Sequence, residues 1–146
     1  MDISTKHSDA RVAAARIPVL AASLALLELE NPSRAHIDLY TDPVPSTPGD
    51  TPTGDLVVSI SVASTAGTVD TDLFKIVLTT PIEAQITGAN PSTGSVVTWA
   101  HIIDGDGDWF ADVTVSDEAG SGEIKLQTTL LYNGAFCRIT SAVFQG

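Results

Sequence analysis

The chain has one cysteine, Cys137, so no disulfide can form within it, and stability must come from a packed core, a bound ion or partners. Cys137 stands in the apolar run Ala135 to Val143 with nothing beside it to activate a thiol, which reads as a buried structural residue. Aromatic residues are scarce, at 5% with two tryptophans, so a broad stacking platform for sugars is hard to assemble. Basic residues are scarce too: 7 Lys and Arg face 18 Asp and Glu, a formal charge of −11 that repels a phosphate backbone. Lys6, Arg11, Arg16 and Arg34 do fall early in the chain, but Asp2, Asp9, Glu28 and Glu30 interleave with them. No nucleic-acid partner is expected. Catalytic signatures are missing as well: there is no Gly-x-Ser-x-Gly elbow, no phosphate-binding glycine loop, no His-Glu-x-x-His and no suitably placed Cys/His pair. Acidic pairs such as Asp70 and Asp72 could serve a glycosidase only across a cleft, and read more simply as turn residues. The expectation is no enzyme, no cofactor and no zinc site, since His7, His36 and His101 lack ligand spacing.

What is present is a chain of 146 residues, 43% apolar and 17% charged, enough for one domain with a substantial core. Residues 1–8 are short, polar and unpatterned and read as a tail or arm. Residues 9–30 read as a helix, with Ser8 or Asp9 as its cap. Pro18 lies inside it and predicts a kink or two abutting helices. From Ile17 to Leu29 the helix is apolar almost all round, broken only by Ser23 and Glu28, so both of its sides call for cover. Thirteen residues make roughly 20 Å of helix, too short for a membrane span, and no clean cleavage site follows for a signal peptide. Leu20, Leu24 and Leu27 are the candidate partner-facing residues of this helix.

The stretch Ala35 to Val62 organises the rest. His36 to Thr41 alternates with period two and predicts a strand, and Leu56 to Val62 predicts another. Between them lie Pro43, Pro45, Pro48 and Pro52, each fixing φ and removing a donor, so residues 42–53 form neither helix nor central strand. That loop is the candidate interaction arm, because long loops without secondary structure are usually functional or disordered. If it is an arm, its deletion should leave the domain folded. Further strands are expected at 73–78, 83–87, 95–103, 109–115, 124–129 and 135–145. In the 95–103 strand Val97, Trp99 and His101 share one face, with Trp99 as a core anchor. Asp104, Asp106 and Asp108 alternate with glycine like the opening of a calcium loop, but Trp109 replaces the turn glycine and Val115 the bidentate Glu. An Asp-Gly hairpin is the simpler reading, leaving the three aspartates as weak metal candidates. About eight strands at near-regular spacing after one helix predict a mainly β fold. Specifically, residues 35–146 are expected to form an antiparallel β-sandwich of jelly-roll type.

The order LYTDPVPSTPGDTPTGDLVVSISV resembles a group of small proteins encoded among the structural genes of tailed bacteriophages and prophages. The shared pattern is an Ala/Leu-rich helix, a strand ending in a Leu/Ile-Tyr-Thr-type triplet, a Pro/Thr/Gly loop and a strand opened by Gly-x-Leu. Here these are Leu39-Tyr40-Thr41, the Pro43 to Pro52 loop and Gly54-Asp55-Leu56; Gly94 to Ala100, the Asp-Gly run after Ile103 and Ile139 to Val143 are similar to later strands of the group. The resemblance implies a virion protein, in particular a capsid cement or decoration protein. It would be made in the host cytoplasm and carried on the outer surface of the head. Its partners would then be the major capsid protein and further copies of itself, as a dimer or trimer, with no membrane. The alternatives are a tail, collar or fibre component, or a carbohydrate-binding β module using Trp99, Trp109 and Tyr132.

Overall fold

A computed structural model describes residues 3–145. Of the tail expected at 1–8, Met1 and Asp2 lie outside the described residues, as does Gly146. The first element is helix α1, Thr5–Glu28, which starts inside that tail with Ser4 as its N-cap. Nothing in Thr5 to Ser8 breaks a helix, and extension from the Ala-rich run adds one hydrogen bond per residue ordered. Ser8 and Asp9 therefore lie within α1 and do not cap it. Pro18 sits in one uninterrupted element. Both Pro18 and Ala14, whose carbonyl loses its donor, are exposed, so water can serve that oxygen.

Eleven strands follow among the described residues: β1 His36–Tyr40, β2 Leu56–Ser61, β3 Gly67–Asp70, β4 Lys75–Leu78, β5 Ile82–Gln85, β6 Ser95–Val96, β7 Trp99–Ile103, β8 Trp109–Asp117, β9 Ile124–Leu126, β10 Leu130–Leu131 and β11 Phe136–Gln145. Nine of them form one sheet in the order β2-β1-β7-β8-β9-β11-β4-β3, with β5 also on β11, while β6 and β10 pair apart. The sheet is mixed, which corrects the antiparallel expectation: β8 and β9 run parallel, Val115 opposite Ile124 and Asp117 opposite Leu126. Parallel neighbours ordinarily need a long crossover. Here residues 118–123 suffice because the loop folds onto itself. Asp117 Oδ1 accepts the N–H of Ala119 and Gly120, Ser116 Oγ accepts that of Gly122, and a Cβ on Gly122 would stand 2.7 Å from Ser116 N.

β11 joins the two halves of the sheet. Along one edge it pairs with β9, and along the other with β5 and then β4, which are successive parts of one interrupted strand. The sheet curls into a half-barrel until the end of β5 meets β2, where the Gly88 N–H donates to Val57 O at 2.9 Å. Any side chain at Gly88 would collide with Leu56 O. Inside the curl lie Ile37, Leu39, Ile60, Ile76, Ala100, Ile102, Ile124, Leu126 and Ile139, all buried. Helix α1 lies across β3 and β4 and adds Leu20, Leu24 and Leu27 to this core. Its C-terminal end is tied down by Glu28 Oε1, which accepts the Ala66 N–H at 3.0 Å, and by Leu26 O, which accepts that of Gly105 at 3.1 Å.

Candidate functional site

Alternation along β1 and β7 sends Ile37, Leu39, Ala100 and Ile102 inward, and His36, Asp38, Tyr40, Trp99 and His101 to the opposite face. Register places Ser59, Asp38, His101 and Asp112 in one row across β2, β1, β7 and β8. Trp99 is 1% exposed, yet it lies on this outer face, opposite Tyr40, and not in the main core, which revises its reading as the anchor of that core. It is buried from outside. Tyr40 stacks on it at 5.0 Å, and its indole N–H donates to Thr41 O at 3.0 Å.

The cover is the proline-rich loop. Its stem is closed by the Asp55 N–H donating to Thr41 Oγ1 at 3.0 Å, and by the Thr98 hydroxyl donating to Asp42 Oδ1 at 2.8 Å. Its far end is held by Asp112. One carboxylate oxygen accepts the Gly49 N–H at 2.8 Å; the other lies 2.6 Å from His101 Nδ1 and accepts the Trp109 indole N–H at 3.2 Å. Gly49 has φ +82 and rests on the Trp109 ring, where a Cβ would come within 3.0 Å. Only glycine meets both conditions easily. Pro45 and Pro52 are half-buried, while Pro43, Val44 and Pro48 face solvent. The segment is thus a strap bound to the sheet, with one rigid exposed edge.

His101 and Asp112 have the pairing of an acid–base couple, but both oxygens of Asp112 are engaged by the strap and by Trp109. No described hydroxyl or thiol bonds to His101. The couple is placed to hold the strap. Beside it, Asp38 Oδ1 is buried without a hydrogen-bond partner, and Oδ2 lies 3.6 Å from His36 Nε2. Burial, with the Asp38 charge adding to it, raises the Tyr40 hydroxyl above its ordinary pKa.

The three aspartates after β7 do not converge on a common point. Asp104 is buried and its Oδ1 accepts the N–H groups of Asp106 and Asp108, each at 3.0 Å, whereas Asp106 and Asp108 are exposed. This is the chemistry of a turn. Among the described residues no group of three or more His, Cys, Asp or Glu is arranged to hold a metal ion. Cys137 is buried, and burial pushes its thiol up to about 11.

The structure separates the helix residues expected to meet a partner from those free to do so. Leu20, Leu24 and Leu27 fill the chain's own core, because β3 and β4 take that side of α1. The large apolar residues left in solvent are Val12, Val19 and Leu26 on the helix and Leu29 at its C-cap, between 41% and 64% exposed. The signal for both sides was already in the sequence, as two interleaved sets of apolar positions at helical spacing. By length and composition α1 could also cross a membrane, although its inner side is packed on the sheet. Compared with known proteins, the chain matches no family model, no curated protein and no solved structure.

Proposed function

We propose that this protein is a structural component of a tailed-phage virion, a cement or decoration protein that bridges major capsid subunits on the outer surface of the head. The observation that carries the reading is the exposed apolar side of α1 on a small, strongly acidic β domain. That surface suits docking, and the charge suits a protein facing water on a DNA-filled shell. The exposed edge of the strap, Pro43, Val44 and Pro48, supports it as a second contact, since a loop already ordered loses little entropy on binding. A jelly-roll-like sandwich belongs to the same reading: a sheet curled until β5 meets β2 encloses its core between two faces, as a sandwich does. Modest contacts repeated over many copies would then add up to firm attachment.

Quantitative mass spectrometry of virions from the phage or induced prophage that encodes the chain tests this. Hundreds of copies per particle are expected; absence from the particle overturns it, and a few copies per particle moves the protein to the tail, collar or fibre. A sugar-binding platform is not favoured, because the Trp99 ring lies beneath Tyr40 and the strap and offers no free face beside Trp109 and Tyr132.

A further inference from the structure

Helix α1 carries a seam that the domain does not use. Val12, Ala15, Val19, Ala22, Leu26 and Leu29 are spaced by 3, 4, 3, 4 and 3 residues, the repeat by which one helix packs along another. All six are exposed, on the side away from Leu20, Leu24 and Leu27. They run for 18 residues, about 27 Å of helix. Ala15 and Val19, with Arg16 and Leu20, border a shallow hollow of about 240 Å³ on the flank between the two sides. The first turns of α1 also lack support of their own: Ser4 makes no side-chain cap bond, and no acidic residue stands in the first turn.

Charge selects the occupant. Lys6, Arg11 and Arg16 lie toward the N-terminal end of α1, and Glu28 and Glu30 at or just beyond its C-terminal end, with Asp9 as the one acidic residue between Thr5 and Leu27. Among the described residues neither Lys6 nor Arg11 lies within ion-pair distance of a carboxylate. Glu28 is bound to the Ala66 N–H, and Glu30 lies 2.9 Å from Arg34 with its carboxylate still exposed, so an antiparallel pair sets Arg11 opposite Glu30 of the second copy, while a parallel one sets Arg11 beside Arg11. Sizes agree. In the antiparallel register that sets Val12 against Leu29 of the second copy, Ala15 faces Leu26 and Val19 faces Ala22, so a small residue meets a larger one at the four inner positions. The parallel register instead stacks Leu26 on Leu26 and Ala15 on Ala15, leaving gaps between the bulky layers. Two chains of charge −11 repel each other, so contact requires a face on which opposite charges meet. The same charge disfavours an anionic membrane surface, and lipid on both sides of α1 would require Leu20, Leu24 and Leu27 to leave the core.

We infer that two copies of this chain associate through α1 as an antiparallel, two-fold helix pair along Val12, Ala15, Val19, Ala22, Leu26 and Leu29. The inference gives a geometry to the self-association in the proposed function. Its test uses the isolated protein, so its failure leaves the copy number on a particle untouched. Val19→Cys and Ala22→Cys proteins of different isotopic mass are mixed in equal amounts and oxidised, with Thr128→Cys as an exposed control off the seam. Both seam positions are solvent-facing, so the core is unaltered, and buried Cys137 does not compete. The expected product is the mixed Val19→Cys/Ala22→Cys disulfide, at least about tenfold over either like-with-like product; a second pair, Val12→Cys mixed with Leu29→Cys, should also give its mixed disulfide and lose it when Val19→Glu is added to both chains. A dominant Val19→Cys homodimer overturns the antiparallel geometry. Cross-linking no faster than the control overturns pairing altogether, as does flotation of the Val19→Cys and Ala22→Cys proteins with phosphatidylglycerol vesicles that abolishes their cross-link.

Discussion

Asp112 is the residue on which the strap depends. Its two oxygens serve Gly49, Trp109 and His101 together, so Asp112→Ala leaves two N–H donors without their acceptor. A loss of about 1–3 kcal/mol is expected on urea unfolding, with tryptophan emission shifted to the red as water reaches Trp99. Unchanged stability and emission would mean that the strap is held by its stem alone. Gly105 and Gly107 form a contrasting pair in the turn after β7. A Cβ on Gly105 would lie 2.3 Å from Leu29 O and push against the end of α1, whereas Gly107 has φ +89 and open space around it. Gly105→Ala should cost about 1–3 kcal/mol through overpacking, and Gly107→Ala about 1–2 kcal/mol through the left-handed backbone alone. Because the atoms that Gly105 meets are the carbonyl and Cβ of Leu29, a second Leu29→Ala substitution should not recover the stability lost in Gly105→Ala. At this scale the sequence showed that Trp99 and Cys137 would be buried and that Asp104 belonged to a turn. It could not show which side of the sheet Trp99 lies on, because that follows from the strap folding back across β7 and β8, a contact made between residues far apart in the chain.

Helix α1 has two sides with different work, and truncation separates them. Leu27→Ala removes a side chain 1% exposed and should cost about 2–5 kcal/mol, while Leu26→Ala, 41% exposed, should stay within about 0.5 kcal/mol in dilute solution. Chemical denaturation of both variants checks the contrast; equal effects would place the helix differently on β3 and β4. The strap is the second element whose role differs from its appearance in sequence. Proline content marked it as neither helix nor strand, and it is neither. As cover for Trp99 it contributes to the fold, so its removal is expected to lower stability, contrary to the behaviour of a free arm. Most strands were legible from alternation and turn residues. The β8–β9 pairing was not: an acidic, glycine-rich turn such as Ser116 to Gly122 ordinarily joins antiparallel strands. Its parallel outcome depends on Ser116 and Asp117 binding the loop's own N–H groups. β3 was hidden for a related reason, since Gly67–Asp70 has the composition of a loop and becomes a strand by pairing with β4.

For the molecule as a whole, pH should act from both sides. Burial pushes Cys137 from 9.0 to about 11 and also raises Tyr40 from 10.0. Both groups are held in their protonated forms by the fold. Their contribution is complete below their ordinary values and is lost as pH climbs through the native ones. Stability should therefore fall between about pH 9 and 11, with a shallower slope in Cys137→Ala; an identical slope would mean that the thiol is not linked to folding. Glu123 works on the acid side: burial opposes its charge, but the hydrogen bonds from the Thr114 hydroxyl and N–H prevail and lower its pKa. Its contribution holds above 4.5 and fades as pH falls through the lower native value. Mainly β architecture after one helix was readable from the whole chain. Closure of the sheet through Gly88 and Val57 was not, because neither residue carries a mark of the other.

The strand that unites the sheet follows every other described element in the chain. β11, Phe136–Gln145, holds β9 on one edge and β4 and β5 on the other, so before it is made β9 has only β8, β4 only β3, and β5 no paired strand. Synthesis delivers α1 ahead of the strands, and β4, on which it rests, gains its second neighbour only with β11. Until then the inner side of α1, Leu20, Leu24 and Leu27, has only the β3–β4 hairpin to rest on, a platform still unpaired along the free edge of β4. Deletion of Phe136–Gln145 should yield an aggregating or degraded product, not a slightly shortened domain.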